Sequence, residues 1–78
     1  MNWKVLEIDA ISDNVFGREF DEMVDMLEDE LQLEGVDYYI TSDPYANQIV
    51  VLIVPESYIS SGELDSIFDA IGLTYTIK

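Results

Sequence analysis

Carboxylates are almost the only side chains in this chain that could do chemistry. It carries 17 Asp and Glu against three Lys and Arg, with no histidine and no cysteine. Disulfides, thiolate or imidazole metal sites, and the usual nucleophilic and general-base machinery are therefore excluded. What remains to carboxylates is cation ligation, an acid/base pair of the glycosidase kind, or electrostatic attraction to a basic surface. An EF-hand register centred on Gly17 would place its closing glutamate at Met23, so that motif is absent. A looser cation site from Asp9, Asp13 and Asp21 is outweighed by the simpler reading of a solvated loop. A catalytic pair needs a pocket of several hundred Å³ with one desolvated member, and 78 residues leave little room for it. Gly17, Gly35, Gly62 and Gly72 are dispersed as punctuation and form no phosphate loop. The expectation is no enzyme activity, no cofactor and no metal.

The third use of carboxylates has a clear location. Between Glu19 and Leu33, at 100° per residue, Phe20, Met23, Val24, Leu27 and Leu31 share one arc, and Asp21, Glu22, Asp25, Glu28 and Asp29 gather opposite. Asp21/Asp25 and Asp25/Asp29 are like-charge pairs at i,i+4, each costing a few tenths of a kcal/mol where an opposite pair would contribute as much. A helix kept only for structure would avoid that cost, so this face is the candidate partner-binding site. Met26 and Leu33 lie at the edge of the acidic arc, outside the main apolar one, where they could hold a partner.

The rest of the chain supplies a scaffold. Asn2 to Asp9 alternates with apolar residues on both sides, which predicts a central strand. Ser12, Asp13, Asn14 and Gly17 form a turn whose side chains would cap the acidic helix, and Gly35 ends that helix. Val36 to Ser42 reads as a second strand, with Asp43-Pro44-Tyr45-Ala46-Asn47 as a hairpin turn. Gln48 to Val54, the driest segment, reads as a buried mid-sheet strand. Ser60 and Glu63 make a capping box for a second helix carrying Leu64, Ile67, Phe68 and Ile71, with Gly72 at its end. Leu73 to Ile77 is the last strand. The expected core is Leu6, Ile8, Phe20, Val24, Leu27, Leu31, Ile40, Val51, Ile53, Leu64, Ile67, Phe68 and Ile71.

That order resembles the ferredoxin-like fold: an α+β chain, βαββαβ, with a four-stranded antiparallel sheet and two helices on one face. Residues 1–78 make one domain. A sheet covered on one side only would leave Trp3, Val5, Tyr39 and one face of Ile49 to Val54 in water, unless the aromatic residues simply pack across the strands. A homodimer or a target covering this open face is therefore the alternative to plain strand-face packing.

Hydrophobic residues at 49% show that the acidity belongs to a folded chain, not to a disordered tail. A formal net charge of -14 argues against nucleic acid and membranes as direct ligands and favours a partner with a Lys/Arg-rich surface. The start MNWKVLEID has no signal-peptide pattern and no run is long enough to span a bilayer, so the expected location is cytoplasmic.

Carboxylates at i,i+4 recur about 6 Å apart along a helix axis, a spacing comparable to that of phosphates along a DNA strand. In size, charge and layout the chain is similar to the small acidic inhibitor proteins of phages and mobile elements: the anti-CRISPR, anti-restriction and DNA-mimic class. No motif is shared with them. The resemblance implies a viral protein acting in the host cytoplasm through protein-protein interaction, as a nucleic-acid mimic blocking the DNA-binding surface of a host defence nuclease or complex. The alternative is a ferredoxin-like dimerising or regulatory module that binds a basic protein partner unrelated to DNA. Acidity as adaptation to high salt is a further reading, against which the large apolar content weighs.

Overall fold

The computed structural model describes residues 2–43 and 46–78. In chain order the elements are strand β1 (Trp3–Asp9), helix α1 (Ala10–Asp13), helix α2 (Gly17–Leu33), strand β2 (Tyr39–Asp43), strand β3 (Ala46–Pro55), helix α3 (Glu56–Ser60), helix α4 (Glu63–Ile71) and strand β4 (Thr76–Ile77). The strands form one antiparallel α+β sheet in the order β2-β3-β1-β4. The two runs that are apolar on both sides, β1 and β3, are the central strands, where side chains of a neighbouring strand flank them on each edge.

Register decides which residues meet. Leu6 lies opposite Leu52 and Ile8 opposite Val50, and β2 adds Ile40 beside Leu52. These positions share one face of the pleat. On that face Leu6, Ile8, Val50, Leu52 and Val54 are buried together with Phe20, Leu27 and Leu31 of α2 and Leu64 and Phe68 of α4. Val24, Ile40, Ile67 and Ile71 are half-buried around this cluster. Val51 and Ile53, expected in the core, instead point to the opposite face and are only half-buried. In a run as uniformly apolar as QIVVLIV the sequence does not mark which parity faces the helices. Ala10, Val36 and Leu73 complete the core at element ends, where periodicity gives no signal.

Local chemistry departs from expectation at several ends. Ser12, Asp13 and Asn14 do not cap α2. Residues 10–13 are themselves a helical turn, capped by the Asp9 carboxylate accepting from the Ile11 amide at 2.9 Å, and Asp13 is used elsewhere. Helix α2 starts at Gly17, after Phe16, without a side-chain cap. Its other end follows the expectation: Gly35 at φ +71 lets the Gly35 amide donate to Gln32 and the Val36 amide to Leu31, and Val36 is buried below. The capping box at Ser60 is not formed, because Glu56–Ser60 is a helix and Ser60 Oγ donates to the carbonyl of Glu56. Gly62 at φ +81 breaks α3 from α4, and Ser61 Oγ accepts from the Glu63 amide. Strand β4 is shorter than expected, with regular pairing only at Thr76 and Ile77. Part of the hairpin turn, Pro44 and Tyr45, lies outside the described residues.

Candidate functional site

Helix α2 owes its orientation to Phe20, Leu27 and Leu31, which are fully or almost fully buried, with Met23 and Val24 packed at their edges. Fixing that stripe against the sheet turns the opposite arc outward. Asp21, Glu22, Asp25 and Asp29 are exposed and Glu28 is half-buried. Among the described residues no cation pairs with Asp21, Asp25 or Asp29. Arg18 reaches Glu22 at 3.4 Å in an exposed i,i+4 pair, a weak interaction in water. No basic residue stands in the last turn of α2, and Glu30 and Glu34 lie at its C-terminal end, where the helix dipole disfavours negative charge. The helix therefore carries its charge against two local electrostatic preferences, one between side chains and one toward the dipole.

Met26 and Leu33 are exposed, at 49% and 79%. The structure separates the candidate residues into two groups. Met26 and Asp29, with Glu30, line one side of a groove of about 280 Å³ whose other side is Ile67, Ala70 and Ile71 of α4. Asp21, Glu22, Asp25, Glu28 and Leu33 do not line it. Glu30 and Ala70 were missed by the sequence reading. Glu30 falls between the acidic and apolar arcs of its own helix, and Ala70 gains meaning only once α4 lies beside α2.

The remaining carboxylates that could have bound a cation are committed to the chain itself. Asp9 caps α1. Asp13 accepts from both the Thr74 amide, at 3.0 Å, and the Thr74 hydroxyl, at 2.6 Å, tying the loop before α2 to the approach of β4. Among the described residues no three acidic side chains converge on a point that could hold a metal ion. Tyr75 donates to Asp65 and stacks edge-on against Phe68, with ring centroids 4.9 Å apart. Burial, then the Asp65 hydrogen bond, then the Asp65 charge push the Tyr75 hydroxyl up to about 12.

The second exposed feature is the uncovered side of the sheet. Trp3, Val5 and Tyr39 are 39%, 37% and 66% exposed, with Ile53 between Val5 and Tyr39 and Val51 in the next row. Trp3 and Tyr39 lie 5.7 Å apart across the face. Glu7 and Lys78 form an ion pair at 2.6 Å at its β4 side. No helix of the described residues is long and apolar enough to cross a membrane. Comparisons with protein-family models, with curated proteins and with solved structures find no significant match to this chain.

Proposed function

We propose that this protein is a small acidic protein-binding inhibitor, a nucleic-acid mimic that blocks the DNA-binding surface of a host defence nuclease or complex in the manner of anti-CRISPR proteins. The observation that carries the reading is the outward face of α2, where Asp21, Asp25 and Asp29 stand exposed on successive turns and Arg18 is the one basic residue of the helix. Such a rigid row offers a Lys/Arg-lined channel what a phosphate strand offers it. The scaffold is read as a ferredoxin-like βαββαβ module with α1 and α3 as added turns, and the order β2-β3-β1-β4 supports this. The helix is then a stiff rod mounted on a sheet, which keeps the charges in fixed positions. Action in the cytoplasm of a host cell goes with this function.

A second reading, a basic protein partner unrelated to DNA, is favoured by the groove between α2 and α4. Its walls of Met26, Ile67 and Ile71 beside Asp29 and Glu30 suit an apolar anchor flanked by Lys or Arg, which no phosphate strand resembles.

One experiment separates the two. The protein is immobilised, partners are captured from a host lysate, and elution by duplex DNA is compared with elution by salt. The variant Asp21→Asn/Asp25→Asn/Asp29→Asn keeps shape and removes three charges, and by relieving two like pairs it leaves folding intact or slightly improved. It is expected to bind the captured partner at least tenfold more weakly, with slower association, and DNA is expected to compete with the parent. Undiminished binding by the triple variant overturns the role of α2. Weakened binding that DNA does not compete with selects the second reading.

A further inference from the structure

The charge of this protein is unevenly placed. Helix α2 alone carries Glu19, Asp21, Glu22, Asp25, Glu28, Asp29 and Glu30. On the uncovered sheet side, register aligns Trp3 with Pro55, then Tyr39 with Ile53 and Val5, then Thr41 with Val51, Glu7 and Thr76. In these three rows the charged side chains are Glu7 and the neighbouring Lys78, which neutralise each other. A chain of net charge -14 has thus kept these rows apolar apart from one ion pair, and the next row, Asp9 opposite Ile49, adds a single carboxylate that accepts from the Ile11 amide at the end of the sheet.

We propose that this face is a self-association surface, on which a second copy of the chain packs sheet against sheet. The charge distribution selects that occupant. An anionic membrane is repelled by the molecule as a whole, and a Lys/Arg-rich target is drawn to the helix layer, finding no uncompensated carboxylate in these rows. A second copy brings an equally apolar face with its carboxylate at the end of the sheet, and it points both acidic layers outward. With sheets about 10 Å apart and a helix of about 10 Å diameter on each, the two acidic surfaces stand on the order of 30 Å apart, several Debye lengths in physiological salt. Mutual repulsion is therefore largely screened. Trp3 and Tyr39, already packed together, supply the rigid aromatic contacts typical of interfaces.

Area sets the strength. Strands of 7, 5, 10 and 2 residues, about 4.8 Å apart at about 3.3 Å per residue, present about 380 Å² per copy, so the pair buries on the order of 800 Å², the range of weak, transient interfaces. The dimer is consequently reversible, with a dissociation constant in the micromolar range, and it doubles the number of acidic helices offered to a target.

The test is the mass of the full chain by sedimentation from about 1 μM to about 300 μM, read together with the emission of Trp3, the single tryptophan. Expected are a rise from monomer to dimer and a blue shift of Trp3 emission over the same range. Tyr39→Glu, at an exposed position of the edge strand, keeps the chain monomeric with an unchanged circular dichroism spectrum. Thr41→Glu, exposed on the same strand, does the same and serves if the first variant misfolds. Raising NaCl from about 0.1 M to about 0.5 M strengthens or preserves the dimer, whereas it weakens capture through α2, so the two surfaces fail or succeed separately. A parent that stays monomeric throughout overturns the proposal. So does a dimer indifferent to both folded variants, or one lost in Asp21→Asn/Asp25→Asn/Asp29→Asn.

Discussion

Tyr75 shows how a single residue acquires chemistry from its surroundings. Its ring lies against Phe68 and its hydroxyl donates to Asp65, so ionisation would place a phenolate in a partly dry site beside a carboxylate. The folded hydroxyl is raised to about 12 from an ordinary value near 10, so the folded state holds this proton more tightly than the unfolded chain does. Its contribution to stability is complete below about pH 10 and is lost as the pH rises toward about 12. Tyr75→Phe is expected to flatten that part of the stability profile, measured by denaturant unfolding at pH 9, 10 and 11, after subtracting the common effect of lysine and other tyrosine titration. A parent and variant with parallel profiles over this range would contradict the assignment. Asp13, two of whose oxygens receive hydrogen bonds from Thr74, is the comparable case for a carboxylate that looked free in the sequence.

Strand β3 shows what the element scale adds. Its six driest residues, Ile49 to Val54, are β-branched or leucine and fit a pleated surface on either side. Pairing with β1 places Leu52 beside Leu6 on the face that buries the helices, and leaves Ile53 on the open face. Leu52→Ala is expected to cost about 2 to 5 kcal/mol, through lost burial and the cavity left behind. Ile53→Ala, half exposed, should cost roughly 1 kcal/mol, since much of its surface is already in water. Denaturant titration of both variants at low protein concentration checks the facing. Equal losses would mean that the strand is buried equally on both sides. Helix α2 is the opposite case, where a wide difference between its two arcs made orientation readable before any neighbour was known.

At the scale of the whole molecule the dominant quantity is net charge. Three cations offset few of the 17 carboxylates, and two of them are already engaged, Arg18 with Glu22 and Lys78 with Glu7. The folded chain brings the remaining charges closer together than the unfolded one does. Added salt is therefore expected to stabilise it, with the melting temperature rising as NaCl goes from about 20 mM to about 500 mM, measured at a concentration too low for self-association. A melting temperature that falls with NaCl over this range would mean that attractive ion pairs outweigh repulsion.

The order of the four strands and of α2 and α4 along the chain, the inward stripe of α2 and the centrality of β1 and β3 were determined by the sequence, whereas the short helices α1 and α3 were not legible in it. Each rests on contrast between apolar and polar positions within a short window, and hydrophobic burial acts on that contrast wherever the segment ends up. The outward position of Met26 and Leu33 followed from the same contrast. Tertiary structure decided what depends on residues distant in the chain. The facing of Val50, Leu52 and Val54 was settled by register with β1, since their neighbours are equally apolar. The use of Asp13 was settled by Thr74, 61 residues away. The groove that pairs Met26 with Ile67 and Ala70 exists only because α4 packs beside α2. Local pattern fixes which side of an element turns inward, but a hydrogen-bond partner or a shared groove arises only when two elements are brought together by the core they both bury.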